Sequence, residues 1–204
     1  MEIRTRSGNI YSYNKQTGEI LGGSITAQLP KWNFAPIVPF ESMPQVDSFI
    51  LGLTEQCNLR CTYCCYSGNY VNKRSHNTVS MGTEDVDDIL LFIDSFTSNR
   101  PIKIFLYGGE PLLNYNIVQY AIEESRKQWD NDVSFTISTN GTTLTKERID
   151  WMVANNVVLA LSIDGTKPFH DSYRVDAQGN GSYTRVYDAL KYIKTTYPEY
   201  AKEM

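Results

Sequence analysis

The run Ser48-Phe-Ile-Leu-Gly-Leu-Thr54-Glu-Gln-Cys57-Asn-Leu-Arg-Cys61-Thr-Tyr-Cys64-Cys-Tyr-Ser-Gly68 is an apolar segment followed directly by three cysteines at C-x3-C-x2-C spacing. Three thiolates on one compact loop can hold three corners of a cubane iron–sulfur cluster. The fourth corner then lacks a protein ligand, and an open metal position is what a catalytic site uses and a structural one avoids. All four cysteines fall between positions 57 and 65. A disulfide framework spreads its cysteines to staple distant segments, so a metal or cluster site is the better reading. A structural zinc knuckle is the alternative. Zinc would want a fourth ligand at matching spacing, no second cysteine pair exists, and His76 and His170 are too few for a mixed centre. Cys65 could supply that ligand, but adjacent thiolates rarely chelate one tetrahedral ion, and on a cluster Cys65 would close the open iron. It reads as a small packed residue, with a reactive or substrate-facing thiol as the other option.

From residue 48 onward strand and helix patterns alternate. Ser48–Thr54, Ile102–Tyr107, Val133–Thr139 and Val157–Ile163 are apolar runs of the kind expected of strands buried on both faces. Between them come helical patterns. Thr83 precedes Glu84 and Asp85, and Val86, Ile89, Leu90, Ile93 and Phe96 repeat at helical spacing. Ile117, Ala121 and Ile122 mark a second helix. Thr145 opens a third with Ile149, Met152 and Val153, and Ser182 a fourth with Val186, Ala189, Leu190 and Ile193. Four βα units in sequence predict an α/β fold with a parallel sheet and right-handed crossovers.

The segment before residue 48 is of another kind. Ile3–Arg6 and Asn9–Tyr13 carry strand residues, Asn14–Gly18 is a turn signal, and Glu19–Leu21 follows, which predicts a small β-hairpin. Residues 22–47, rich in Gly and Pro, read as an extended connector packed by Trp32, Phe34 and Phe40. The expected division is therefore 1–47 and 48–204. At 204 residues, 41% hydrophobic and net charge −4, the chain fits one soluble domain with an appendage. No apolar run is long enough to span a bilayer and no signal peptide opens the chain, so a cytoplasmic protein without membrane partners is expected. Mild acidity argues against a nucleic-acid surface.

In parallel sheets of this type chemistry sits at the C-terminal strand ends. There the sequence puts the cysteine loop, then Tyr107-Gly-Gly-Glu-Pro111, Ser138-Thr-Asn-Gly141 and Asp164-Gly165. Polar or glycine-rich loops at one rim argue for a single composite active site. Each has a plainer reading. Gly108-Gly109 is a βα turn, Asn140-Gly141 a common turn pair, Asp164 a turn cap, and Arg174 a loop ion pair, perhaps with Asp171. His170 reads as an ordering hydrogen-bond residue, and His76 as solvent-facing.

The ordered set C-x3-C-x-Tyr-C, Tyr-Gly-Gly-Glu-Pro, Ser-Thr-Asn-Gly, Ser162-Ile-Asp-Gly165 and His170-Asp-Ser-Tyr-Arg174 resembles the radical S-adenosylmethionine (radical SAM) enzymes, from about Phe49 to the end of the chain. It is most similar to their peptide-modifying branch, which includes maturases of ribosomally made peptides and anaerobic sulfatase-maturing enzymes. The resemblance implies part of a TIM-type barrel. It also implies a 4Fe–4S cluster on Cys57, Cys61 and Cys64, with Tyr63 in the aromatic slot of the loop. S-adenosylmethionine would be held through Gly108, Gly109, Glu110, Ser138, Asn140, Ser162, Asp164 and Arg174. Arg174 would take the carboxylate, a job suited to a guanidinium fork. Glu110 would order its loop or touch the ligand. The implied partners are a peptide or protein substrate and a flavodoxin- or ferredoxin-like electron donor. The resemblance also implies hydrogen abstraction from the peptide by a 5′-deoxyadenosyl radical.

The family core has six βα units and this chain shows four. An apolar sheet edge after the fourth strand calls for cover, from further chain or from a partner. The competing functional class is a non-catalytic metal- or cluster-holding module, or a degenerate partner subunit that recognises a peptide.

Overall fold

The computed structural model describes residues 2–4, 8, 10–13, 20–22, 46–66, 75–96, 101–129 and 133–204. They fall into two compact units, Met1–Glu41 and Ser42–Met204. In the first unit β1 (Glu2–Arg4), β2 (Ile10–Tyr13) and β3 (Ile20–Leu21) form an antiparallel sheet with Ile3 opposite Tyr11 and Tyr13 opposite Ile20. The turn signal Asn14–Gly18 and the aromatic residues Trp32, Phe34 and Phe40 lie outside the described residues.

The second unit is a four-stranded parallel sheet in the order β4 (Ser48–Thr54), β5 (Ile102–Gly108), β6 (Val133–Thr139), β7 (Val157–Leu161). Leu51 pairs with Leu106, Ile104 with Phe135, and Ile137 with Leu159. The connecting helices are α1 (Thr83–Phe96), α2 (Tyr115–Trp129) and α3 (Lys146–Ala154). After β7 come α4 (Lys167–Tyr173) and α5 (Tyr183–Thr196). Strands neighbouring in sequence are neighbours in the sheet, and right-handed crossovers then put every helix on the same side. This is the wall of a barrel, helices outside.

That arrangement corrects one expectation. The strands are buried on one face only among the described residues. Leu51, Leu53, Ile104, Leu106, Phe135, Ile137, Val157 and Leu159 face the helices and pack on Val86, Leu90, Ile93, Val118, Ile122, Ile149, Met152 and Ile193. On the other face Ile50 is 73% exposed, Tyr107 46% and Phe105 38%. The outward apolar residues hid the alternation, and the strands read as uniformly buried.

Local signals set the element ends. Thr145 caps α3, accepting a hydrogen bond from Arg148 N–H. Asp85 reaches back to the Gly82 N–H at the start of α1 (2.7 Å). Ser182 precedes α5 but does not cap it. Asp171 accepts from Tyr183 N–H instead (2.8 Å), and Gly181 leaves room for that carboxylate, which a Cβ would strike. Three described elements were not expected from the sequence, the short α4 and the 3-10 turns at Pro111–Asn114 and Tyr200–Lys202.

Both flanks of the sheet are dressed by the chain itself. Val79–Met81 lies antiparallel along β4, with Glu55 N–H on Val79 O and Met81 N–H on Leu53 O (both 2.9 Å). On the other side the Tyr200 hydroxyl donates to Val157 O (2.6 Å) and receives Leu159 N–H. Those two groups would otherwise face a neighbouring strand. Burial there pushes the Tyr200 phenol up to about 12. No helix among the described residues is long and apolar enough to cross a membrane.

Candidate active site

The C-terminal ends of all four strands open on one cavity of about 370 Å³. That is within the usual range for small-molecule sites. Cys57, Cys61, Tyr63, Cys64 and Cys65 line it from the loop after β4, and Tyr107, Gly108 and Gly109 from β5 and its end. Ser138, Thr139 and Asn140 come from β6 and its end, Ser162 from just past β7, and Arg174 from beyond α4. Of the residues expected to hold the cluster or S-adenosylmethionine, Glu110 and Asp164 lie outside this wall.

The cysteine loop is held by backbone pairing. Arg60 N–H donates to Val175 O (2.6 Å) and Thr62 N–H to Tyr173 O (3.0 Å), so the loop zips against the α4–α5 connector. Arg60 Nη1 also closes onto the carbonyls of Cys57 and Leu59 (2.7 Å each). From the other side, Gly109 N–H bonds Thr54 O (2.8 Å) and Glu110 N–H bonds Gln56 O (2.7 Å). Both glycines are needed for that approach. Gly108 sits at φ +138, where L side chains are rare, and a Cβ there would strike Thr54 O. A Cβ at Gly109 would strike Gln56 O.

All three thiols are free and half-buried, and Cys65 is exposed. Burial pushes the Cys57 thiol up against the pull of the Leu59 N–H on its sulfur (3.4 Å). Burial also raises Cys61, against the pull of Arg174. The Cys64 sulfur accepts from Tyr66 N–H (3.4 Å). The three thiols line one cavity, and this all-thiolate donor set suits an iron–sulfur cluster.

Glu110 is fully buried beneath the rim. Its carboxylate accepts from Leu112 N–H (3.0 Å), Thr139 Oγ1 (2.7 Å) and Asn140 N–H (2.7 Å). Burial pushes its pKa up, and the three donors pull against that. Glu110 therefore pins the β5 and β6 ends together, and its oxygens are spent on protein. Asn140 lines the cavity, but its amide is engaged too. Its Nδ2 donates to Asn58 Oδ1 (2.9 Å), and its Oδ1 accepts from Thr142 N–H and Oγ1. Asn58 Nδ2 closes the ring on Thr142 Oγ1 (2.8 Å). Asn58, Thr139 and Thr142 were missed in the sequence; the available signal was that Asn58 and Thr139 stand inside the cysteine and Ser-Thr-Asn-Gly motifs and Thr142 directly after the second.

Arg174 pairs with Asp164 (Nε to Oδ2, 2.9 Å), not with Asp171, which takes Lys167 (2.5 Å) and the α5 N-terminus. The Tyr63 hydroxyl donates to the same Asp164 Oδ2 (2.5 Å), and the Arg174 guanidinium lies 5.5 Å from the centre of the Tyr63 ring. Burial and the Asp164 carboxylate push the Tyr63 phenol up, so it keeps its proton. Burial raises Asp164, but Tyr63 and Arg174 more than offset it and hold the carboxyl below its ordinary range. His76 is not simply solvent-facing; its half-buried ring stacks on Tyr66 at 5.8 Å.

His170 is buried and orders the strand-four loop. Asp164 N–H donates to its Nδ1 (3.2 Å), and Ser182 Oγ, which donates to Arg174 O, faces Nε2 (2.9 Å). Only the neutral ring with its proton on Nε2 satisfies all of these groups. Burial lowers its pKa from the ordinary 6.5. Below about pH 6.5 the unfolded chain takes up a proton that the folded chain refuses, so stability falls as pH drops. Thermal unfolding at pH 7.5 and 5.5 should show a His170→Gln variant losing less stability on acidification than the parent. Equal losses would refute this.

A family model described as the radical SAM superfamily matches residues 51–199. The chain is 28% identical over 161 residues to a cysteine-type anaerobic sulfatase-maturating enzyme of Clostridium novyi, covering 78% of this chain and 43% of that protein. It is 33% identical over 124 residues to a GTP 3′,8-cyclase of Haemophilus influenzae, covering 59% of this chain and 34% of that one. Among solved structures, native anSMEcpe with bound AdoMet superposes with a TM-score of 0.64 at 25% identity, covering 72% of this chain and 41% of that one. The chain spans less than half the length of these curated relatives.

Proposed function

The chain belongs to the radical SAM superfamily, and we propose that residues 48–204 form the cofactor-binding part of an enzyme that cleaves S-adenosylmethionine and acts on a peptide. In this family the cofactors are a 4Fe–4S cluster and S-adenosylmethionine. When bound, they supply a 5′-deoxyadenosyl radical that abstracts a hydrogen atom. Cys57, Cys61 and Cys64 would hold the cluster. Arg174 would hold the carboxylate of S-adenosylmethionine, and carbonyls at Gly108 and Gly109 its amino group. Ser138 and Ser162, which line the same cavity, would bind its ribose or carboxylate. Tyr63 would order the cysteine loop. The observation that carries this reading is the convergence of the three thiols, the Gly108–Gly109 backbone and Arg174 on one cavity.

The protein's own contribution is geometry. The zipped loop fixes the thiols, Glu110 fixes the two loops beside them, and the sheet face away from the described helices would receive a substrate. A peptide substrate is supported by the likeness to a sulfatase-maturating enzyme and to anSMEcpe, which is solved with a Cp18Cys peptide bound. The relative named GTP 3′,8-cyclase shows that the same core accompanies other chemistry.

The test uses the full-length protein, reconstituted anaerobically with iron and sulfide. We expect at least one four-iron cluster per chain, and 5′-deoxyadenosine when dithionite and S-adenosylmethionine are added. Single Cys57→Ala, Cys61→Ala and Cys64→Ala variants should lose the cluster absorbance and all product, whereas Cys65→Ala keeps its iron. A loaded parent that never forms 5′-deoxyadenosine would favour a non-catalytic binding module.

A further inference from the structure

Among the described residues Arg174 is the only cationic side chain in the cavity wall. Its Nε is taken by Asp164, while its two terminal nitrogens make no hydrogen bond to protein among the described residues. A guanidinium tethered through Nε has its plane fixed and its outer fork left to receive a two-oxygen anion. The tether is itself anchored. Asp164 Oδ2 also accepts the Tyr63 hydroxyl, and its backbone N–H is held by the buried His170 ring. Asp164 stands outside the cavity wall, so its carboxylate acts on the cavity through what it holds.

We propose that Asp164 is a positioning residue that aims the Arg174 fork at the carboxylate of the sulfonium cofactor and ties that fork to the cysteine loop through Tyr63. This rests on the functional reading above and replaces the expectation that Asp164 touches the cofactor. Tyr63 lies between two of the three thiols in sequence and under the Arg174 guanidinium in space. One carboxylate oxygen thus sets the distance between the anion-binding fork and the thiol ring. A ligand that must touch both at once needs that distance fixed.

The test measures binding, in the full-length, cluster-loaded protein, of S-adenosylmethionine and of its analogue lacking the carboxylate. Asp164→Ala and the isosteric Asp164→Asn should each weaken S-adenosylmethionine binding about tenfold or more, the loss expected for a charge-assisted hydrogen bond. Iron content should not change. Neither variant should alter binding of the decarboxylated analogue. KM for S-adenosylmethionine should rise more than kcat falls. In an Arg174→Ala background, Asp164→Ala should have no further effect, because its influence runs through that side chain. Additive losses in that double variant, or an equal loss for the decarboxylated analogue, would mean direct contact with the cofactor and overturn the inference. A parent protein that holds its cluster but binds neither ligand would overturn the functional reading, and this inference with it.

Discussion

Replacing Glu110 with alanine should cost the fold about 3 kcal/mol or more, read from urea denaturation midpoints. The side chain is completely buried, and three donors from two segments converge on it: Leu112 N–H, Thr139 Oγ1 and Asn140 N–H. Each buried donor left without an acceptor costs roughly 1–3 kcal/mol, and a water entering the space recovers only part of that. Glutamine is the sharper comparison. It keeps the shape and one acceptor oxygen but turns an NH2 group toward a donor, so about half the loss is expected. The damage should spread beyond stability, because Asn140 N–H is one of the three and its side chain closes the ring with Asn58 in the cysteine loop. An alanine variant within about 1 kcal/mol of the parent would show that Glu110 does not pin the rim.

Gly109→Ala should be as severe, for a steric reason. The new Cβ would overlap Gln56 O and come within 3.0 Å of Glu55 O. Both obstacles are backbone, so no rotamer relieves them. The strand ends would have to part, breaking Gly109 N–H to Thr54 O and Glu110 N–H to Gln56 O. Overpacking of this kind costs roughly 1–3 kcal/mol, with the lost hydrogen bonds added. Gly165→Ala is the control. Gly165 has φ +65 but nothing within 4 Å of a Cβ, so it should lose only the conformational penalty of about 1–2 kcal/mol. If Gly109→Ala unfolds no more easily than Gly165→Ala in the same denaturant series, close approach is not what Gly109 is for.

Much of this was legible beforehand because local signals agreed. The strands at Ser48–Thr54 and Val133–Thr139 lie where their apolar runs put them, and Ile102–Gly108 runs one residue further. The last strand stops at Leu161: Ser162 N–H still makes the ladder bond to Thr139 O, and Ile163 is already in the loop that His170 organises. Four loops at one rim followed from the alternation alone. What the sequence hid was long-range. A glutamate in a Gly-Gly-Glu-Pro turn faces a ligand or the protein depending on donors some 30 residues away. The partner of Arg174 could be Asp164 or Asp171, and only the short α4, with Asp171 turned back toward Lys167 and α5, decides it. Burial on one face was hidden by Ile50, Phe105 and Tyr107, which are apolar yet point away from the helices.

The zipper between Arg60, Thr62 and the connector at Tyr173–Val175 commits the backbone of the cysteine loop to the rest of the fold. Small metal domains whose ligand loops have no other support depend on the metal for their order. In this chain part of the loop's ordering entropy is met by main-chain hydrogen bonds to a segment more than 100 residues away, so the position of the cysteines is tied to the docking of α4 as well as to whatever they hold.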